Sequence, residues 1–190
     1  MEEHPEEALI AAGSPERLEL VLSQPFPAVS EEIGRWSSVL MECRLRTLKA
    51  IAGIGQVELD WQPPHRANTI GSLLYHIGLI EADWLYTEII EQPIPERLES
   101  LFSVGDRTSD GKLTSASGES VNQHTSRLAL VRKHLVESLG TMTLTEFRRV
   151  RHLRDYDVTP EWVLAHLLQH EAEHRGQIVL LRKLFEGHQG

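Results

Sequence analysis

Apolar residues recur every three or four positions in four segments of the chain, which is the periodicity of an amphipathic helix. A small polar residue precedes each segment, and glycine or proline follows it, as at helix ends. The predicted helices run from Ser30 to Gly53, from Asn68 or Thr69 to about Glu91, from Ser120 to Leu139, and from Thr159-Pro160 to about Glu186. No convincing series of strands accompanies them. The sequence therefore predicts an all-α protein built as a four-helix bundle.

The connections between the predicted helices are long. Residues 103–118 are rich in Ser, Thr, Gly and Asp, and loops of that length are usually functional or mobile. A proline-containing loop is expected from Leu59 to His65. Thr141 to Val158 forms a second irregular connection, in which alternating apolar residues favour an extended chain. The bundle is therefore expected to carry long irregular segments between its helices.

Residues 1–26 precede the bundle pattern and are predicted to form a short helical appendage. Ser14-Pro15-Glu16 has the order of a helix N-cap, a proline at the first helical position and an acidic first turn. Partial disorder of this segment is the alternative. We therefore divide the chain into the appendage, residues 1–26, and the bundle domain, residues 27–190.

The composition and charge narrow the classes of function. The chain has 190 residues, of which 41% are hydrophobic and 25% are charged, and this suffices for one domain with its own core. The net charge of −9 opposes binding to nucleic acid or to anionic lipid. No apolar run approaches the roughly 18 residues of a membrane span, and no secretory leader is expected. The single cysteine, Cys43, excludes an internal disulfide and favours the cytoplasm.

The ten histidines are the unusual feature of the composition, and three of them share one helix face. His166, His170 and His174 lie at about −40°, 0° and +40° on the wheel of the fourth predicted helix. The apolar residues of that helix fall at about 20° to 80°. His170 and His174 therefore face the core, and His166 lies at its edge. Two imidazoles one turn apart can bind a single metal ion.

A third metal ligand would have to come from another helix, and His76 in the second predicted helix is the best candidate. Leu73 and Ile80 flank it on the same face, so His76 also points inward. Bundle metal sites are built from inward ligands on facing helices. Each histidine alone is more often a hydrogen-bonded core residue. Three imidazoles in one core are costly without a shared partner, which favours the metal interpretation.

Other residues near these faces are candidates for the second shell or for the pocket lining. They are Asp83, His124, His166, Glu173 and Gln177. For Glu173 and Gln177 the alternative is a solvated helix face, and for His124 it is a satisfied core or rim histidine. Glu171 either orients an imidazole or forms a salt bridge between helices. The sequence identifies no catalytic residue.

The stretch from His170 to His174 also matches the H-E-x-x-H pattern of zinc peptidases, in which the glutamate is the general base. Gln177 and Leu180 stand where the extended peptidase motif needs glycine and a further ligand. Only 16 residues follow His174, which leaves little room for a downstream glutamate ligand. The pattern therefore disfavours a peptidase.

Two motifs resemble those of the DinB/YfiT-like superfamily. Residues 69–77, Thr-Ile-Gly-Ser-Leu-Leu-Tyr-His-Ile, are similar to its second-helix motif. Residues 162–178 contain His170 and His174 in the order H-x-x-x-H-R-G-Q-I, which resembles its fourth-helix motif. The loop from Leu59 to Pro64 is also similar. The resemblance covers about residues 30–186.

The resemblance implies a four-helix bundle with a divalent metal held by His76, His170 and His174. Nitrogen ligands suit zinc, nickel, iron or manganese, and zinc and nickel are the first candidates. It also implies a cytoplasmic bacterial enzyme of stress or detoxification that acts on a small molecule. The expected activity is thiol S-transfer or isomerisation with a low-molecular-weight thiol such as bacillithiol or mycothiol. A non-catalytic metal-binding stress protein and a metal-dependent hydrolase are the alternatives. A homodimer is compatible with the family, whose bundles often pair.

Overall fold

The computed structural model describes residues 22, 26–64, 68–109 and 111–189. Four long helices dominate these residues, namely α1 (Glu31–Ala50), α3 (Ile70–Trp84), α5 (Val121–Gly140) and α7 (Pro160–Gln189). The shorter elements are α2 (Gln56–Asp60), α4 (Glu96–Glu99), α6 (Leu144–Phe147) and the antiparallel strands β1 (Arg151–His152) and β2 (Asp157–Val158). The described chain is mostly helical, as predicted. The helix predicted within the appendage, residues 1–26, lies outside the described residues except at positions 22 and 26.

The predicted helix starts agree with the caps in the structure. The side chain of Thr69 accepts a hydrogen bond from the Ser72 backbone N–H at 3.0 Å, which satisfies an orphan donor of α3. Ser120 and Gln123 form a reciprocal capping box at the start of α5. Local polar chemistry therefore fixes where these two helices begin.

Two predicted boundaries are wrong. The loop expected from Leu59 to His65 starts inside α2, where Gln56 Nε2 donates to Asp60 Oδ2 across one turn at 2.7 Å. The fourth predicted helix does not stop before Gly187 but continues to Gln189. A glycine in the last turn weakens a helix by only about 1 kcal/mol, and the ring of His188 packs 5.7 Å from the ring of Trp61.

The second predicted helix ends near Glu91 as expected but changes its winding on the way. After Trp84 the chain continues as a π-helical turn, Leu85–Ile90. Glu91 then takes a left-handed conformation with φ 57° and ends the helix. Such wide turns inside helices occur often at functional sites. This turn buries the side chain of Glu88, which accepts a hydrogen bond from the Tyr156 hydroxyl.

The four long helices pack into one body around an apolar core. Helix α1 contacts α7 and α5, and α3 contacts α5 and α7. Leu40 of α1, Leu135 of α5 and Val163 of α7 are fully buried members of the larger core cluster. Burial of each such side chain stabilises the fold by about 1.5–3 kcal/mol.

The segment that links α4 to α5 is irregular and is attached to the helices by polar contacts. Tyr75 of α3 donates its hydroxyl to the Val104 carbonyl at 2.8 Å. Arg127 of α5 donates to the Leu101 carbonyl at 2.9 Å and pairs with Glu119 at 2.6 Å. These contacts attach the segment to α3, the helix that carries His76, and to α5. No helix in the described part of the chain has the length and apolarity needed to cross a membrane.

Candidate metal centre

Three histidines from two helices converge at one point in the structure. The Nε2 atom of His170 lies 3.1 Å from the Nε2 atom of His76 and 3.1 Å from the Nε2 atom of His174. All three nitrogens lie within 4.8 Å of one another. The sequence predicted this convergence from the inward positions of His76 on α3 and of the His170/His174 couple on α7.

The nitrogen positions fit a shared cation. The two separations of 3.1 Å bring His170 Nε2 close enough to each neighbouring nitrogen for one divalent cation to bind both. The central Nε2 atom of His170 carries at most one hydrogen, so it cannot donate to both of its neighbours. A divalent cation removes this conflict, because each ring then offers it a lone pair.

The Nδ1 atoms of His174 and His76 differ in their hydrogen-bond partners. The Nδ1 atom of His174 donates to the Gln177 Oε1 atom at 3.2 Å, which leaves its Nε2 lone pair facing the other two imidazoles. The Nδ1 atom of His76 is buried and has no hydrogen-bond partner in the described part of the chain. Gln177, predicted as a second-shell or pocket residue, therefore contacts a candidate ligand directly.

Burial keeps all three imidazoles neutral. His76 is only 4% exposed, and its burial, together with the His174 imidazole, lowers its pKa to about 4. Burial, with His174 and His76 as neighbours, lowers the pKa of His170 to about 3. The pKa of His174 is also lowered, mainly by burial. Neutral imidazole is the form that binds metals, so these three rings are in the metal-binding protonation state at neutral pH.

A buried ion network lies one turn from the histidines and was not predicted from the sequence. Its members come from four helices and are each 2–3% exposed: Arg44, Glu81, Arg132 and Glu171. Arg44 lies 2.5 Å from Glu81 and 2.8 Å from Glu171. Arg132 lies 2.6 Å from Glu81 and 2.9 Å from Glu171. Two positive and two negative charges therefore compensate one another inside the core.

The network favours the ionised form of Glu81. Burial alone would raise the pKa of Glu81, but the guanidinium groups of Arg132 and Arg44 outweigh it and leave the pKa below its ordinary value. Of the two interpretations offered for Glu171, the structure therefore supports the salt bridge between helices and not the orientation of an imidazole. The sequence signal that could have revealed the ion network is the presence of these charged residues at core-facing helix positions.

A cavity of about 580 Å³ opens beside His174. Its apolar wall is formed by residues of α3 and α7, among them Leu73, Leu181 and Leu184. Two cationic residues, Arg107 and Lys112, also line the cavity. The cavity therefore offers an apolar surface and positive charge next to the three imidazoles. A small molecule with an anionic group fits these properties.

The other predicted supporting residues lie in three different surroundings. Asp83 and Glu173 are exposed, and Asp83 accepts a hydrogen bond from Thr87 Oγ1 at 3.4 Å. His166 stacks against the rings of Trp84 and Trp162 at 4.3 and 5.3 Å. Its ring lies 5.9 Å from that of His170. None of these three side chains belongs to the described group of converging ligand atoms.

His124 is fully buried but belongs to another polar group. Its Nδ1 atom lies 3.2 Å from Arg127 Nη1 and 3.6 Å from Glu119. Burial lowers its pKa to about 4. His124 is also absent from the described group of converging ligand atoms. The structure therefore places it with the polar contacts that attach the linking segment to α5, and not beside the three imidazoles.

Cys43 and Arg175 connect α1 to α7 near the same end. Arg175 Nη1 donates to the Cys43 carbonyl at 3.2 Å and lies 3.3 Å from its sulfur. Burial, reinforced by Glu171, raises the pKa of the Cys43 thiol. A thiol with a raised pKa is a poor nucleophile. Cys43 therefore packs between helices, as the sequence predicted.

Comparison with known proteins agrees with the fold and the motifs. The crystal structure of the conserved protein of locus from Enterococcus faecalis is similar, with a TM-score of 0.63 and 17% sequence identity. The similarity covers 80% of this chain and 96% of that chain, and at this identity it concerns the fold alone. No curated protein matches this chain.

The family model described as the DinB superfamily matches residues 40–178. The match includes all three converging histidines and all four residues of the buried ion network. The chain therefore belongs to the DinB superfamily, as the two sequence motifs predicted.

Proposed function

We propose that this DinB protein is a four-helix-bundle metalloenzyme that binds a divalent metal, zinc or nickel, through His76, His170 and His174. We further propose that it catalyses thiol S-transfer or isomerisation with a low-molecular-weight thiol. The convergence of three Nε2 atoms beside an open cavity carries the proposal. Three histidine ligands leave coordination positions for a substrate, which is typical of catalytic rather than structural sites.

The metal would supply Lewis acidity, which lowers the pKa of a thiol that reaches it and makes the thiol a nucleophile at neutral pH. The protein supplies the rest of the arrangement. Gln177 holds the Nδ1 hydrogen of His174 and so fixes the tautomer of that ring. The buried network fixes α3 and α7 against each other. Leu73 and Leu181 exclude water from one side of the cavity.

Arg107 and Lys112 support an anionic group on the thiol or on the electrophile. In a chain of net charge −9, two cationic residues that line one cavity attract anions to that place. Arg107 acts electrostatically on both His76 and His174, which places its charge near the candidate centre. We therefore propose a small anionic molecule as the partner, rather than nucleic acid or a membrane.

A metal-dependent hydrolase is the second candidate. The group of converging ligand atoms contains no carboxylate or fourth histidine among the described residues. Because the cavity is open, water as well as a thiol can reach the candidate centre. A metal ion lowers the pKa of bound water enough for hydrolysis at neutral pH.

Metal analysis of the purified protein tests the ligand set. We expect about one divalent ion per chain in the wild type, and a loss of most of it in His76→Ala and in His170→Ala. His152→Ala is the matched control, because His152 is an exposed histidine on β1. Full metal content in both ligand variants would contradict the proposed centre.

Activity measurements then separate the two chemistries. The metal-loaded protein is incubated with an aryl chloride electrophile and with a panel of thiols that differ in the number of their carboxylates. S-transfer predicts formation of a carbon–sulfur bond, release of chloride and dependence on His170. Metal-dependent cleavage of an ester without any response to thiol would instead favour the hydrolase. Absence of turnover with both the aryl chloride and the ester would overturn the proposed transferase activity.

A further inference from the structure

A second cavity, of about 530 Å³, is not used by the proposed function. Three aromatic residues, Trp84, Tyr156 and Trp162, form its walls, and Val158 of β2 lines it. It shares no lining residue with the cavity beside His174. It lies where the π-helical turn, the strands β1 and β2 and the start of α7 meet.

The aromatic rings border one common space. The ring of Trp84 lies 5.7 Å from that of Trp162 and 6.3 Å from that of Tyr156, and both pairs are within 28° of parallel. Trp162 is 54% exposed and Tyr156 is 46% exposed. These two rings therefore present large π surfaces to the cavity and the solvent instead of filling the core.

A buried carboxylate lies behind this aromatic wall. The Tyr156 hydroxyl donates to Glu88 Oε1 at 2.6 Å, and the Glu88 side chain is only 3% exposed. Its other oxygen, Oε2, has no hydrogen-bond partner in the described part of the chain. Burial raises the pKa of Glu88 to about 7. A positive charge in the cavity would favour the ionised form of this carboxylate.

The surroundings add negative charge rather than positive charge. Asp157 lines the cavity, and Asp83 precedes Trp84 on α3. The nearby arginines are matched by acidic residues, in the pairs Arg148–Glu32, Arg149–Glu91, Arg149–Glu146, Arg151–Glu146 and Arg154–Asp155. Asp157 itself lies 2.8 Å from the imidazole of His152. The lining of the described cavity therefore combines aromatic faces with one carboxylate, Asp157, and contains no lysine or arginine.

We propose that the cavity lined by Trp84, Tyr156 and Trp162 binds an organic ammonium cation. Aromatic faces attract such cations through their π electrons, and groups of aromatic residues recognise quaternary ammonium ligands in this way. The carboxylate of Glu88, linked to the wall through Tyr156, supplies the compensating charge. A neutral ligand of the same shape gains only the apolar contact and binds more weakly.

Titration with choline and with its neutral isostere, 3,3-dimethylbutan-1-ol, tests this proposal through intrinsic tryptophan fluorescence. We expect saturable binding of choline, and affinity for the isostere weaker by roughly tenfold or more, the size of a desolvated cation–π contact. Tetramethylammonium should also bind. It has no lone pair and cannot ligate a metal, so its signal is independent of the histidine centre and of the proposed catalytic function.

Variants locate the site. Trp162→Leu should weaken choline binding roughly tenfold, and it leaves the core intact because Trp162 is largely exposed. Glu88→Gln keeps the shape of the side chain and should weaken binding of the cation but not of the isostere. Trp61→Phe is the control, since Trp61 packs against Phe185 away from the cavity. Equal affinity for cation and isostere, absence of saturation, or unchanged binding in Trp162→Leu or in Glu88→Gln would overturn the proposal.

Discussion

Two groups of buried polar side chains lie side by side in this core, and they are satisfied to different degrees. In the ion network, Arg132 contacts both Glu81 and Glu171, and it also donates to the Leu40 carbonyl at 2.5 Å. In the histidine cluster, His170 Nε2 faces two other ring nitrogens with at most one hydrogen to share. The ion network is closed by protein atoms, whereas among the described residues the three converging Nε2 atoms face only one another.

The difference distinguishes a buried polar group that stabilises the fold from one that can bind a ligand. Buried polar groups are normally satisfied, and a remaining deficit needs an explanation. Opposite charges remove that deficit around Glu81. Around His170, whose Nε2 atom faces the Nε2 atoms of His76 and His174, the convergence of lone pairs calls for a partner from outside the chain. A divalent cation is the ligand that three imidazoles prefer.

The largest effect on stability is expected when one member of the buried ion network is removed. Glu81→Ala leaves the guanidinium groups of Arg44 and Arg132 buried with too few acceptors. Loss of one partner of a buried ion pair destabilises a protein by about 3–5 kcal/mol. Urea unfolding, followed by circular dichroism, measures the change in the free energy of unfolding. Lys133→Ala breaks an exposed pair on α5 and serves as the control, and an equal loss in both variants would contradict the comparison.

Removal of the metal should have the next largest effect. A ligand present at about 100 times its Kd stabilises the folded state by about 3 kcal/mol. We therefore expect a chelator to lower the Tm of the metal-loaded wild type. The Tm of His170→Ala should be the same with and without chelator. A chelator-sensitive Tm in His170→Ala would show that the metal binds elsewhere.

The buried imidazoles predict loss of stability in acid. The pKa of His124 is about 4 in the folded chain, below its ordinary value of 6.5. The unfolded chain therefore binds more protons between these values, and stability falls as the pH drops below 6.5. The loss should reach about 1 kcal/mol or more at pH 5. His124→Gln removes this contribution, so urea unfolding of the metal-free protein should show a steeper fall from pH 7 to pH 5 in the wild type.

Glu88 predicts a smaller effect of opposite sign. Burial raises its pKa to about 7, so the folded chain holds the proton more tightly than the unfolded chain does. Stability from this group is therefore fully present in acid and is lost as the pH rises through 7. Relative to Glu88→Gln, the wild type should lose about 1 kcal/mol of stability between pH 5 and pH 8. Parallel stability curves for the two proteins would contradict the raised pKa.

Local chemistry explains what could be predicted from the sequence. Thr69 and Ser120 define helix starts through their own hydroxyls, and the phase of His170 and His174 follows from helical geometry alone. The π-helical turn and α2 could not be predicted in this way. The first changes the winding within a continuous apolar pattern, and the second is a single turn.

The ion network could not be predicted because its logic is tertiary. Arg44 taken alone is a charged residue beside a buried cysteine, and its meaning depends on which helices face it. The periodicity of α1 does not reveal that Glu81 and Glu171 approach from α3 and α7. The histidines were easier, because two of them lie on the same helix face and three imidazoles suggest one partner.

Helices α3 and α7 each contribute residues to both the histidine cluster and the ion network. His170 is followed directly by Glu171, and Glu81 lies five residues after His76. To spread the imidazoles for a larger ion, either helix would have to roll and draw its glutamate away from two guanidinium groups. We therefore expect the paired arginines to set the ionic radius that the centre accepts, with small first-row cations held well and calcium-sized ions rejected.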